Sequence, residues 1–122
     1  PAVVFTTPEL ASVGLSEGEA KAKGYNVIVG KFPFVAIAKA LIGNHPEGFV
    51  KIIAERDSKL ILGMQIVGHD AGNLISEGVP LLEMGATVTD LALMVHAHPT
   101  LPEAIMEAAK AALGEAIHIP NR

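Results

Sequence analysis

Side chains able to transfer protons or bind metal lie close together near the end of the chain, at His96, His98 and Glu103. Because Pro99 follows His98, the backbone there is restricted to extended or turn geometry, and a cis peptide bond is accessible. Glu103 falls in the first turn of an expected helix, from which its carboxylate reaches back to the imidazole. Such a carboxylate fixes the tautomer of a histidine and raises its basicity. The spacing therefore allows a His98–Glu103 acid/base pair, as one of three interpretations.

Two other interpretations of the same residues stay open at this point. Thr100 and Glu103 have the spacing of a capping box, in which Glu103 would serve only the start of the helix and His98 would be an ordinary loop histidine. Alternatively, His96 and His98 project to one side of an extended strand and bind a metal with Glu103 as third ligand. The metal hypothesis has no clear fourth ligand and does not explain Pro99.

The elements that must position these residues follow from the hydrophobic pattern. Strands are predicted over 2–6, 25–34, 49–55 and 60–67, and the last two form an antiparallel hairpin with the second strand central in the sheet. Helices are predicted over 17–23, 71–84, 91–95 and 102–113, whereas 8–14 is expected to be irregular and 35–42 a short helix or loop. Asp70 is expected to cap the helix over 71–84, and Pro80 to kink it. Hairpins and helices in this order predict an α+β fold, an antiparallel sheet with helices packed mainly on one face.

Composition narrows the possible functions. The chain has 122 residues, half of them hydrophobic, which suits one compact domain. Its net charge is −4 with no basic block, which argues against a nucleic-acid-binding protein. The absence of cysteine excludes a disulfide scaffold and a thiol nucleophile, and mildly favours an intracellular setting. No signal peptide or membrane-spanning run is visible, and a chain that opens inside a strand without methionine is expected to be part of a longer protein.

A family resemblance rests on three stretches of the chain. The run His96-Ala97-His98-Pro99-Thr100-Leu101-Pro102-Glu103-Ala104 resembles the signature of the C-terminal dimerisation (interface) domain of the pyridine nucleotide–disulfide oxidoreductases. Within that family, the His-Ala-His-Pro-Thr form most resembles the dihydrolipoamide dehydrogenases. The opening Pro1-Ala2-Val3-Val4-Phe5-Thr6-Thr7-Pro8-Glu9 and the ending Ala116-Ile117-His118-Ile119 are similar to the limits of the same domain. The resemblance implies one dimerisation domain over 1–122, with the FAD- and NAD-binding domains of the parent absent from this chain.

The resemblance also implies a chemistry and a set of partners. His98 and Glu103 would be the catalytic pair, delivered to the disulfide and FAD of the partner subunit for oxidation of dihydrolipoamide with NAD+. The backbone of His98 and Pro99 would contact the flavin. The parent would use FAD and NAD, whereas the fragment alone is expected to bind neither cofactor and no metal. The implied partners are a second copy and the dihydrolipoyl acyltransferase subunit of a 2-oxo acid dehydrogenase complex, with no nucleic acid or membrane. The implied location is the bacterial cytoplasm or the mitochondrial matrix.

Alternatives within the family also stay open. Glutathione-reductase-like enzymes share the His-Pro-Thr run with a downstream glutamate, although His96 and His118 favour the lipoamide enzyme. A purely structural dimerisation module would give His98 no chemical role. The helix over 71–84 and the small-residue face of the last helix (Ala108, Ala111 and Ala112) are the candidate two-fold contacts. His45, His69 and His118 are expected to be structural, and His45 in particular to have no matching carboxylate.

Overall fold

One antiparallel sheet of five strands organises the chain, in a computed structural model that describes residues 1–121. The strands are β1 (Ala2–Val4), β2 (Glu9–Gly14), β3 (Val27–Pro33), β4 (Phe49–Glu55) and β5 (Ile61–Gly68). The helices are α1 (Glu17–Ala22), α2 (Ala38–Ile42), α3 (Ala71–Leu74), α4 (Gly78–Glu83), α5 (Val88–Leu93) and α6 (Glu103–Ala112). Short 3₁₀ turns cover Phe34–Ala36 and Ile75–Glu77. The predicted α+β class is confirmed.

The order of strands is β1-β2-β5-β4-β3, which places β5 in the centre as predicted. β4 and β5 form the expected antiparallel hairpin, with Ile52 opposite Met64 and an irregularity between Ile53 and Ala54. Because β5 has a neighbouring strand on each side, most of its side chains are buried. Leu62 faces α1, whereas Met64 and Ile66 face the main core.

The prediction that 8–14 is irregular is wrong. These residues contain β2, which pairs with β1 on one side and with β5 on the other. The segment has little hydrophobic alternation of its own, but its backbone groups are satisfied by ladders to two neighbouring strands. Tertiary pairing therefore decides the conformation where the local pattern is weak.

The last helix lies across β3 and β4 and closes the main core. Its approach to β3 is very close, because a Cβ on Gly30 would stand 1.9 Å from the carbonyl oxygen of Ala108. Ala104, Ala108 and Ala109 are fully buried within the same chain. The prediction of a two-fold contact on this helix is therefore wrong for Ala108, since its small side chain serves packing against the sheet.

The predicted helix over 71–84 is broken into three pieces, namely α3, a 3₁₀ turn and α4. The break immediately precedes α4, whose Pro80 cannot donate the hydrogen bond of a continuous α-helix. Asp70 occupies the N-cap position with a left-handed backbone (φ 66°), but its side chain accepts from Asn73 Nδ2 instead of a backbone N–H. The expected side-chain cap at Asp70 is therefore wrong. Within residues 1–121, every helix is too short or too polar to traverse a membrane.

Candidate acid/base site at the start of the last helix

His98 and Glu103 are in direct contact, as the acid/base interpretation requires. The Nδ1 atom of His98 lies 3.0 Å from Glu103 Oε1 and 3.2 Å from Oε2. The His98–Pro99 peptide bond is cis, the geometry that the sequence made accessible. The side chain of Glu103 is 10% exposed, whereas that of His98 is 69% exposed. A buried carboxylate on α6 thus holds an imidazole that projects out of the chain.

Glu103 also performs half of the capping role that the alternative interpretation gave it. Its Oε2 accepts a 2.9 Å hydrogen bond from the backbone N–H of Thr100. The other half is missing, because the hydroxyl of Thr100 donates to the carbonyl of Ala97 and does not cap α6. The N-cap position of α6 is instead occupied by Pro102, directly before Glu103. The two interpretations are therefore compatible, since one carboxylate holds both the turn and the imidazole.

The electrostatics of the pair favour one protonation state. Burial is the strongest influence on Glu103 and would raise its pKa, but the hydrogen bond from Thr100 and the bond and charge of His98 together hold the pKa below its ordinary value. An ionised Glu103 can only accept, so Nδ1 of His98 carries the hydrogen. The lone pair then lies on Nε2, for which residues 1–121 provide no hydrogen-bond partner. The exposed nitrogen is therefore the one available as a base.

His96 points the other way and is bound to a carboxylate that the sequence did not identify. Its Nδ1 donates to the carbonyl of Met94 at 2.9 Å, and its Nε2 lies 2.5 Å from Glu77 Oε1. Because both ring nitrogens are engaged, His96 cannot join His98 and Glu103 as a metal ligand without losing these bonds. Among the described residues, no group of three or more suitable side chains could hold a metal ion. Glu77 lies 19 residues before His96, and no local pattern connects the two.

A second glutamate of α6, Glu107, was also missed by sequence reasoning. Its side chain is fully buried and accepts the backbone N–H groups of Ile117 (3.0 Å) and His118 (2.9 Å). Glu107 follows Glu103 by one helical turn, so the spacing of four residues was the available clue. The two carboxylates fix the segments before and after α6.

The remaining histidines show a stacked pair. The rings of His45 and His69 are parallel, with centroids 3.8 Å apart. His45 also has a carboxylate nearby, Glu47 at 3.8 Å, so the expectation that it has none is wrong. A structural role for both rings stays a prediction.

An exposed apolar segment leads directly into the site. Leu93, Met94 and Val95 are 77%, 42% and 97% exposed, respectively. We call these three residues the 93–95 strip. Exposed apolar side chains in consecutive positions are typical of surfaces that another protein covers.

The chain is similar in sequence to one family throughout its length. The family model described as "Pyridine nucleotide-disulphide oxidoreductase, dimerisation domain" matches residues 1–109. A dihydrolipoyl dehydrogenase of Thermus scotoductus is 54% identical over 122 residues, and one of Haloferax volcanii is 51% identical over 122 residues. Each alignment covers 100% of this chain and 26% of the relative. The chain therefore spans about a quarter of the length of these proteins.

Solved structures agree with the sequence relatives. LpdA from Mycobacterium tuberculosis superimposes with a TM-score of 0.83 at 31% identity, over 89% of this chain and 24% of that chain. The HOCl-induced flavoprotein disulfide reductase RclA from Escherichia coli gives a TM-score of 0.80 at 27% identity, over 85% of this chain and 24% of that chain. The five-stranded sheet and its helices thus match one quarter of much longer proteins.

Proposed function

The chain belongs to the dimerisation-domain family of the pyridine nucleotide-disulphide oxidoreductases, and we propose that it acts as the interface domain of a dihydrolipoamide dehydrogenase. In this proposal, residues 1–122 form a single domain of a longer enzyme whose other domains bind FAD and NAD. The domain forms the homodimer and supplies His98 and Glu103 to the disulfide site of the partner subunit.

The observation that carries the proposal is the orientation of His98. Its Nδ1 is held by a buried carboxylate of its own chain, while its Nε2 is directed away from the domain. A base that served a site inside this domain would face a pocket of the same chain. An outward-facing base fits a substrate that a second subunit holds.

The chemistry follows from the protonation state of the pair. A dithiol such as dihydrolipoamide attacks a disulfide only as a thiolate. Nε2 of His98 takes the proton from one thiol, and the thiolate sulfur then forms a bond to one sulfur of the partner's disulfide as that S–S bond breaks. The second thiol of the substrate then attacks the substrate sulfur of this mixed disulfide, whose bond breaks as the lipoyl disulfide forms. The enzyme dithiol is released with the proton held by His98 and the proton of the second thiol. Glu103 stabilises the imidazolium formed in the first step.

The residues present fit a flavin contact at the edge of this domain. Pro99 is exposed, and within residues 1–121 no donor reaches the carbonyl oxygen of His98. That oxygen is free to accept a hydrogen bond from an N–H group of a flavin ring. When bound in the other domains of the enzyme, FAD and NAD+ would accept the two electrons that the dithiol loses.

A second copy of the chain is the proposed occupant of the 93–95 strip. The strip is apolar, exposed and continuous with the residues that lead to His98, and the family is one of dimerisation domains. A dihydrolipoyl acyltransferase subunit is a further proposed partner, on the ground of the proposed dihydrolipoamide dehydrogenase identity alone. Because the relatives are bacterial and archaeal enzymes, the cytoplasm is favoured over the mitochondrial matrix as the location.

The test is the reductive half-reaction of the full-length enzyme that carries this chain. Dihydrolipoamide is expected to reduce the flavin rapidly in the wild type and on the order of a thousandfold more slowly in His98→Gln. A wild-type rate in His98→Gln would exclude His98 as the base and support the alternative in which the domain is a purely structural dimerisation module. Rapid oxidation of NADPH by glutathione disulfide, without reaction of dihydrolipoamide, would instead select a glutathione-reductase-like enzyme.

The dimer contact has its own test. Val95→Asp is expected to convert the dimer to monomers in analytical ultracentrifugation, because it places a charge in the apolar contact. Ile42→Asp is the matched control, since Ile42 is 68% exposed on another element. Equal dimer stability in both variants would place the contact elsewhere.

A further inference from the structure

The segment that carries His98 lacks backbone support of its own. Within the described chain, no backbone–backbone hydrogen bond is made by any residue from 95 to 99. The segment is in neither a helix nor a strand. Its position therefore depends on hydrogen bonds that involve side chains.

Two groups of side-chain bonds hold this segment at opposite ends. On the C-terminal side, Glu103 binds His98 and the backbone N–H of Thr100, and the hydroxyl of Thr100 donates to the carbonyl of Ala97. On the N-terminal side, His96 is bound to Glu77 and to the carbonyl of Met94. The side chain of His96 is only 10% exposed, so this attachment is largely protected from water.

The His96–Glu77 contact needs one shared proton. Nδ1 of His96 faces a carbonyl oxygen, which can only accept, so Nδ1 carries a hydrogen. Nε2 faces a carboxyl oxygen, so the contact is a hydrogen bond only if a proton lies on Nε2 or on Glu77. The other oxygen of Glu77, Oε2, is buried and accepts no hydrogen bond from residues 1–121. Within residues 1–121, the side chains of Glu77 and His96 thus have no other side-chain hydrogen-bond partner than each other.

We propose that Glu77 is a positioning residue for the base, acting through His96 to fix the segment from which His98 projects. This inference rests on the proposed function and assigns it a further residue. The 3₁₀ turn over Ile75–Glu77 places Glu77 at the break between α3 and α4. Within residues 1–121, Glu77 makes no hydrogen bond to His98 or Glu103, so we assign its effect on the reaction to position alone.

Substitutions at Glu77 separate position from charge. Glu77→Ala removes the acceptor and frees His96, so the base loses one of its two attachments. Glu77→Gln keeps the contact, because the amide N–H₂ can donate to Nε2 of a neutral His96 while Nδ1–H still donates to Met94. Glu115→Ala is the control, since Glu115 is an exposed glutamate beyond the end of α6.

The readout is the limiting rate of flavin reduction by dihydrolipoamide in the full-length enzyme, compared with flavin reduction by NADH, which needs no thiol base. Glu77→Ala is expected to lower the dithiol rate on the order of tenfold, because a small displacement of a catalytic group is costly. Its KM for the dithiol and its rate with NADH are expected to stay within about twofold of the wild type. Glu77→Gln is expected to restore the dithiol rate to within about threefold of the wild type.

The possible failures are distinguishable. A wild-type dithiol rate in Glu77→Ala, with His98→Gln inactive, overturns the positioning role and leaves the proposed function intact. An equal loss of both reactions also overturns it, because Glu77 would then support the fold as a whole. A wild-type rate in His98→Gln overturns the proposed function and the inference together. If Glu77→Ala does not fold, Glu77→Met fills a similar volume without an acceptor and is expected to give the same tenfold loss.

Discussion

Replacing Glu103 by glutamine separates the charge of the proposed pair from its shape. In the wild type, two donors converge on the carboxylate, Nδ1–H of His98 and the backbone N–H of Thr100. A glutamine side chain has one acceptor oxygen and one N–H₂ group, so in this position its oxygen can face one of the two donors while its N–H₂ group faces the other. If the oxygen keeps its bond to Thr100, the amide N–H₂ faces Nδ1 and the imidazole must move its hydrogen to Nε2. In that tautomer the lone pair points into the domain, so only the fraction of His98 that keeps its hydrogen on Nδ1 can act as a base.

The size of the effect follows from the geometry. The charges of an ionised Glu103 and a protonated His98 lie about 4 Å apart, which corresponds to about 1 kcal/mol in water and about 4 kcal/mol at an effective dielectric constant of 20. Because Glu103 is buried and His98 is exposed, we expect an interaction energy of about 2 kcal/mol, between these two limits. A loss of that size slows the dithiol reaction about 30-fold. The loss in Glu103→Gln is therefore expected to be smaller than in His98→Gln, where the base itself is absent.

Two measurements check this reasoning. Stopped-flow reduction of the full-length enzyme by dihydrolipoamide gives the rates of Glu103→Gln, His98→Gln and the control Glu115→Gln. Imidazole ¹⁵N NMR of the chain gives the tautomer of His98, expected to be Nδ1–H in the wild type and Nε2–H in Glu103→Gln. A greater loss of rate in Glu103→Gln than in His98→Gln, or an Nε2–H tautomer in the wild type, would refute the orientation argument.

Three further predictions concern the fold that supports the site. Gly30→Ala is expected to destabilise the chain by about 2–3 kcal/mol in urea unfolding, because its Cβ would meet the backbone of α6. The control Gly18→Ala places its Cβ in open space and should be neutral or slightly stabilising. Equal effects of the two substitutions would contradict the close approach of β3 and α6. Glu107→Ala is expected to cost about 3 kcal/mol in the same assay, because it leaves two backbone N–H groups without their acceptor; a change below about 0.5 kcal/mol would contradict that role. Hydrogen bonds from two lysines lower the pKa of Glu17 from 4.5 to about 2, so its stabilisation is complete above pH 4.5 and is lost as the pH falls towards 2. The difference in Tm between wild type and Glu17→Gln should accordingly vanish near pH 2, and a difference that grows on acidification would show that the sign is wrong.

The contact between His98 and Glu103 could be predicted from sequence because the two residues are close along the chain. His98 and Glu103 are five positions apart, with two prolines between them and a helix that begins at Glu103, and these local constraints bring the side chains together. The central position of β5 was predictable for a similar reason, since its continuous apolar run suits only a strand covered on both faces.

The contacts that could not be predicted join residues distant in sequence. Glu77 reaches His96 from the 3₁₀ turn that interrupts the predicted helix over 71–84. The sequence showed the proline that would disturb this helix, but not where the side chain of Glu77 would point. Similarly, the alanines of α6 indicated that another element packs closely against this helix, but they did not identify that element. The partner is Gly30 on β3, which became visible only when the sheet order was known.

The outward projection of His98 has a genetic consequence if the proposed arrangement holds. The base and the disulfide that it serves would then be encoded by the same gene but contributed to each site by different polypeptides. In a cell with two defective alleles, one lacking His98 and the other lacking the disulfide, each mixed dimer would contain one site with both parts intact. Such alleles should complement one another. An allele that disrupts the 93–95 strip would not complement either of them, because its product cannot enter a mixed dimer.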